Sequence, residues 1–123
     1  MSGPTNAHKL VNSARFRAIT RRGTKAKGHY CIVYRYRNER IAHSGPVAVT
    51  FGGPRYGLIV TTAIGNAVTR HRVSRILREV CRRVINEKQP RDTEWVIRAL
   101  PAIAHATYEE VRADVEHAIA GLG

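Results

Sequence analysis

The segment from Asn66 to Lys88 constrains the fold more than any other, because it carries two opposed stripes at helical spacing. At about 100° per residue, one stripe is apolar and the other is cationic. The apolar stripe contains Val73, Ile76, Leu77, Val80, Cys81 and Val84, and the cationic line contains His71, Arg75, Arg78 and Arg82. The pattern predicts a long helix that buries one face and presents a line of positive charge on the other.

The start of this helix is marked by Gly65 and Asn66. Glycine permits a sharp turn from a strand into a helix, and an asparagine side chain caps free N–H groups. Arg70 and Arg72 flank the two stripes near the first turn. The sequence contains no Gly-rich phosphate loop ending in Gly-Lys-Ser or Gly-Lys-Thr, so a nucleotide-binding loop of that kind is not predicted.

Apolar periodicity outside this helix predicts two further helices and four strands. One helix is predicted to be capped by Asn12 or Ser13 and to run to about Arg22, and another begins at Thr107, where Thr107 and Glu110 form a capping box. Strands are predicted over residues 29–37, 46–51, 55–62 and 93–100, with a basic turn over 24–28 and a polar turn over 38–45. The order α-β-β-β-α-β-α indicates an α+β sandwich, in which helices pack on a four-stranded sheet. We expect one domain over residues 1–123, with a loose basic leader over about residues 1–9.

The whole chain has a net charge of +12, and its positive charge is concentrated in the first two thirds of the sequence. Residues 1–78 contain 15 Lys and Arg but a single acid, Glu39, and no acid lies between residues 40 and 78. Charged helix faces normally mix signs, whereas the arginines between residues 40 and 78 have no acid among them. The distribution predicts a polyanion such as RNA as the partner. A membrane surface is a weaker fit, because no basic segment has an exposed apolar face.

Aromatic residues in the same basic region suggest a second binding feature. Phe16 on the first helix is predicted to face Tyr30, Ile32 and Tyr34 on the first strand, with Arg17, Lys27 and Arg35 nearby. Such a groove would stack single-stranded bases and neutralise their backbone. The alternative interpretation is that these aromatic side chains belong to the core.

Residue types needed for catalysis or for metal binding are not grouped in the sequence. Metal-dependent nucleases need clustered carboxylates, and the six histidines are scattered without a shared motif. Cys31 and Cys81 lack zinc-ligand spacing and are predicted to be buried thiols. No apolar stretch is long enough to span a membrane and no signal core is evident, so the cytoplasm is the expected location.

Four segments resemble the bacterial ribonuclease P protein family over about residues 9–120. The most specific are RYGLIV at 55–60 and IGNAVTRHRVSRILRE at 64–79, and RFRAITRRG at 15–23 and WVIRA at 95–99 support them. The resemblance implies a fold like the second domain of ribosomal protein S5, with a left-handed β-α-β crossover. It also implies that an RNA subunit, using Mg²⁺ held by the RNA, removes the 5′ leader of precursor tRNA. No catalytic residue, small-molecule cofactor or membrane partner is expected of the protein.

By position, the resemblance implies RNA contact by Arg70, Arg72, Arg75 and Arg78 and leader contact by Phe16 and Tyr34, and the residue pattern adds the other site residues. The expected RNA-binding residues are Asn66, Arg70, His71, Arg72, Arg75, Arg78 and Arg82, and the expected leader cleft comprises Phe16, Arg17, Thr20, Ile32 and Tyr34. The sequence departs from the family pattern where His71 replaces a usual Asn, Ser74 a common Lys, and Thr20 a frequent aromatic residue. Thr62 and Ala63 also stand where lysines often precede the helix.

Two other functions remain open at this point. The chain could be a general rRNA-binding or ribosomal protein without a role in cleavage, or a nuclease that acts without an RNA subunit. Cleavage of precursor tRNA by a catalytic RNA, with and without the protein, separates all three.

Overall fold

A computed structural model describes residues 13–37, 55–89 and 93–122, which form three α-helices and four β-strands. The elements are α1 (Ser13–Arg22), β1 (Thr24–Lys27), β2 (Cys31–Arg37), β3 (Arg55–Ile59), α2 (Ala67–Cys81), β4 (Thr93–Ala99) and α3 (Tyr108–Leu122). A π-helical turn, Arg82–Asn86, extends α2, and a 3₁₀ turn, Pro101–His105, precedes α3. The predicted α+β class is confirmed, and the described elements follow the order α-β-β-β-α-β-α.

One strand lies where the sequence predicted a turn. Residues 24–27 form β1, so the predicted basic turn over 24–28 is wrong. β1 is an edge strand in which only Ala26 packs against the core, and its flanking lysines are exposed. It therefore lacks the apolar alternation that identifies a half-buried strand. The strand predicted over 46–51 lies outside the described residues.

The sheet has the strand order β1-β2-β4-β3. β2 pairs antiparallel with both β1 and β4, whereas β3 pairs parallel with β4. A parallel pair needs a long crossover connection, and α2 lies within it. The resulting β-α-β unit places α2 directly after β3, and the hand of its crossover stays a prediction.

Helices cover both faces of the sheet. One face packs against α2 and α3 in a core that includes Val33, Trp95 and Ile97. The predicted apolar stripe of α2 is confirmed, because Val73, Leu77, Val80, Cys81 and Val84 are buried and Ile76 packs against them. The opposite face carries a smaller cluster of Ile19, Tyr34 and Val96 beneath α1. Each face of the sheet thus has a separate apolar contact with a helix.

Asp114 of α3 fixes the turn between β1 and β2. Its carboxylate accepts backbone N–H groups of His29 at 2.8 Å, Tyr30 at 3.0 Å and Cys31 at 3.3 Å. Gly28 lies so close that a Cβ there would be 2.3 Å from Asp114 Oδ2. Because three donors converge on one carboxylate, this contact sets the position of β1 and its lysines at the sheet edge.

Candidate nucleic-acid interface

The N-terminus of α2 has the predicted cap. Asn66 Oδ1 accepts the backbone N–H of Thr69 at 2.9 Å, as expected of an N-cap side chain. Gly65 has a φ of +152°, a conformation that side-chain-bearing residues rarely adopt. Gly65 and Asn66 therefore set the direction in which α2 leaves the strand, and with it the direction of the cationic line.

Three members of the cationic line are available to a ligand. His71 and Arg75 are exposed, and Arg78 is half-buried beside Tyr56. In the part of the chain that the structure describes, none of these three side chains has a hydrogen bond or ion pair within the protein. Burial raises the pKa of Tyr56 to about 12, an effect that the nearby Arg78 opposes. Uncompensated cations in a row provide the geometry that phosphate binding requires.

The fourth member, Arg82, lies in a network of ion pairs. Its guanidinium contacts Glu79 and also Glu87, at 3.3 Å, while Arg83 Nε lies 2.9 Å from the Glu79 carboxylate. The hydrogen bonds from Arg82 and Arg83 hold the pKa of Glu79 below its ordinary value. The positive charge of α2 is thus partly neutralised after Arg78. RNA binding by Arg82 stays a prediction.

Two arginines near the first turn of α2 bond to the backbone of their own chain. Arg72 donates to the carbonyl oxygens of Ala104 at 3.1 Å and Ala106 at 2.8 Å, which joins α2 to the turn before α3. Arg70 Nε donates to the Gly65 carbonyl at 3.3 Å. Arg72 therefore has a structural function that the sequence did not reveal, because its acceptors lie more than thirty residues away.

The predicted groove lies between α1 and the sheet. The Phe16 ring lies against Gly57, where an added Cβ would be 2.2 Å from Phe16 Cζ. Tyr34 lies at the base of the groove and is 8% exposed, whereas Phe16 and Ile32 are half-buried. Of the α1 residues, Thr20 is half-buried and Arg17 is exposed, and Thr20 Oγ1 donates to the Arg17 carbonyl at 3.1 Å. The structure brings the five predicted cleft residues to one face of the sheet, and their contact with a leader stays a prediction.

Two residues that the sequence placed in this groove belong to the opposite face. Tyr30 packs against the core shared with α2 and α3, so its predicted contact with Phe16 is wrong. Arg35 is also directed to that side, where its guanidinium donates to the Leu122 carbonyl at 3.2 Å. The predicted strand began at residue 29, whereas β2 begins at Cys31. Tyr30 therefore lies outside the strand, and the alternation of side chains along the strand does not determine which face it occupies.

Basic residues outside the five predicted cleft residues also lie on the groove face, and of these Lys27 was predicted to lie near the groove whereas Arg98 was not selected. Lys25 is paired in register with Tyr34 and Lys27 with Ile32, so both lysines project on the groove side of the sheet. Arg98 is paired in register with Ile32 and with Ile59, and it projects on the same side. An arginine that interrupts the apolar run from Trp95 to Leu100 was the available signal, but the face on which it lies depends on strand pairing.

No group of three or more His, Cys, Asp or Glu residues that could hold a metal ion occurs in the described ranges. Cys31 and Cys81 are buried free thiols, as predicted, and burial raises the pKa of both. No helix among the described residues is long and apolar enough to cross a membrane. The described surface offers cationic and aromatic groups suited to binding a nucleic acid.

Comparison with known proteins identifies the family. The family model described as Ribonuclease P matches residues 5–123. The ribonuclease P protein component of Corynebacterium diphtheriae is 49% identical over 112 residues, covering 91% of this chain and 90% of that protein. That of Corynebacterium glutamicum is 40% identical over 124 residues, covering 94% and 90%.

Solved structures show the same fold. The RNase P protein of Staphylococcus aureus aligns with a TM-score of 0.74 at 19% identity, covering 94% of each chain. The RNase P protein of Thermotoga maritima aligns with a TM-score of 0.68 at 21% identity, covering 89% of this chain and 92% of that one. From the family model and the sequence identities together, the chain belongs to the ribonuclease P protein family.

Proposed function

We propose that this chain is the RNA-binding protein subunit of a ribonuclease P holoenzyme. It binds the catalytic RNA subunit through the outer face of α2 and the 5′ leader of precursor tRNA through the groove beneath α1. Mg²⁺ is held by the RNA, and the chemistry belongs to the RNA. Precursor tRNA is an RNA of the cytoplasm, where we place this activity.

The observation that carries the proposal is the cationic line of α2 in a chain of this family. His71, Arg75 and Arg78 follow one helix face at spacings of four and three residues. Their side chains have no partner among the described residues, so binding a phosphate breaks no existing ion pair. Arginine binds a phosphate oxygen pair with two parallel hydrogen bonds and keeps its charge at all physiological pH values.

The groove supports the second half of the proposal. Phe16 presents an aromatic ring that is partly open, and the exposed cations Arg17 and Lys25 lie on the same side of the sheet. Single-stranded RNA is recognised by stacking on such rings with neutralisation of its backbone. A duplex would not fit this requirement, because its bases are already stacked on each other.

The proposal is tested by cleavage of precursor tRNA at low Mg²⁺ by a bacterial ribonuclease P RNA, with and without the protein. Stimulation of cleavage at the mature 5′ end is expected. An unrelated basic protein of similar net charge serves as the control, because charge neutralisation alone would stimulate in both cases. Equal stimulation by the two proteins would favour a general RNA-binding protein, and cleavage by the protein alone would indicate a free-standing nuclease.

A further inference from the structure

A row of four residues crosses the groove face of the sheet next to α1. Strand register aligns Lys27 of β1 with Ile32 of β2, Ile32 with Arg98 of β4, and Arg98 with Ile59 of β3. Residues aligned in this way project to the same face. We call these four residues the cross-strand row.

The cross-strand row is open, whereas the neighbouring row is covered. The neighbouring row contains Tyr34, Val96 and Gly57, which α1 buries through Ile19 and Phe16. In the cross-strand row, Lys27 and Arg98 are exposed and the two isoleucines are half-buried. Ile32 and Ile59 pack against the cluster beneath α1, so the row is open mainly at its two cations and forms a shelf beside α1 with an aliphatic floor.

Arg98 makes no contact in the described structure that would explain an arginine at this position by the stability of the fold. Every other residue of β4 is buried, and Arg98 is the exposed member of that strand. Neither Arg98 nor Lys27 has a side-chain hydrogen bond or ion pair within the described ranges. A guanidinium between two aliphatic side chains in a central strand therefore has its donors free for a ligand.

The dimensions of the row fit a short stretch of single-stranded RNA. Neighbouring strands are about 4.8 Å apart, so the row spans about 14 Å from Ile59 to Lys27. That length accommodates only a few nucleotides of single-stranded RNA. The isoleucines offer apolar surface to riboses or bases, while the cations are placed for the phosphates.

We propose that the cross-strand row extends the leader site, and that Arg98 together with Lys27 binds the phosphate backbone of the leader as it passes alongside α1 and across the strands. This inference rests on the proposed function. It adds Arg98, which the family resemblance did not supply. It also specifies the path of the RNA, which runs across the strands of the sheet.

The test compares holoenzymes that contain wild-type protein, Arg98→Gln or Lys27→Gln. Affinity is measured for mature tRNA and for precursors whose leaders are shorter or longer than the row. Each variant is expected to bind long-leader precursor more weakly and to lower the salt slope by about 0.7, the value for one contact to a single strand. Binding of mature tRNA is expected to stay unchanged, and Arg98→Lys should restore most of the salt slope.

Arg112→Gln is the matched control, because it removes the same charge from α3, where Arg112 pairs with Glu109 and Glu116. Equal losses for mature tRNA and for long-leader precursor, or no loss in the Arg98→Gln holoenzyme, would overturn the inference alone. A wild-type holoenzyme that did not distinguish precursor from mature tRNA would overturn the proposed function and this inference with it.

Discussion

The Phe16 ring lies directly on the backbone of Gly57, with three ring atoms closer than 3.0 Å to where a Cβ would stand. Only glycine at position 57 lets α1 approach β3 with its aromatic residue in place. This contact joins the RYGLIV segment to the first helix. It also sets the position of the ring that the proposed leader site uses.

Substitution Gly57→Ala is expected to displace Phe16 and to destabilise the protein by about 1–3 kcal/mol through overpacking. Urea unfolding measures the change in free energy. Because the clash involves Phe16, the double variant Gly57→Ala with Phe16→Leu should lose less stability than the two single changes predict. Additive losses would show that Phe16 is not what Gly57 accommodates.

Replacing both Arg75 and Arg78 by Ala is expected to weaken binding of the RNA subunit and to reduce its salt slope by about two, one for each lost phosphate contact. Stability should change little, since neither side chain bonds to another described part of the protein. Binding titrations over a range of salt concentrations measure the slope. A wild-type slope in the double variant would mean that the line does not meet phosphate.

Arg72→Ala should behave in the opposite way. It removes two charged hydrogen bonds to the carbonyls of Ala104 and Ala106, and loss of such bonds costs about 1.5–3 kcal/mol. We therefore expect a clear loss of stability with a smaller change in salt slope than Arg75→Ala produces. Both variants are measured by urea unfolding and by salt titration. A stable Arg72→Ala protein with a reduced slope would reassign Arg72 to direct RNA contact.

Glu79→Gln is expected to strengthen RNA binding and to steepen its salt dependence. The change removes the carboxylate that pairs with Arg82 and Arg83, which leaves Arg82 with Glu87 alone and makes both guanidinium groups more available to phosphates. The pKa of Glu79 is lowered by these bonds, so the pairs persist as pH falls below the ordinary Glu range and are lost only as pH passes the lowered value. Glu110→Gln, on α3, is the control. Unchanged RNA affinity in Glu79→Gln would show that Arg82 and Arg83 lie outside the interface.

Local features of the fold could be read from the sequence. The apolar stripe of α2, the Asn66 cap and the capping box are all confirmed, the last by the Thr107 N–H bond to Glu110 Oε1 at 2.9 Å. Each depends on residues a few positions apart, where helical geometry alone determines which side chains meet. The burial of Cys31 and Cys81 was predicted from the apolar character of a free thiol and from the absence of zinc-ligand spacing.

Contacts between distant segments were decided by the tertiary structure. β1 has no apolar pattern of its own and exists because β2 pairs with it and Asp114, more than eighty residues away, holds the adjoining turn. Whether Tyr30, Arg35 or Arg98 faces the groove depends on where β2 begins and on how β4 pairs with its neighbours. The sequence alone determined which helix carries the cations, because that pattern is local. Only the packed sheet determined which cations remain free and which hold the protein together, because their partners come from other segments.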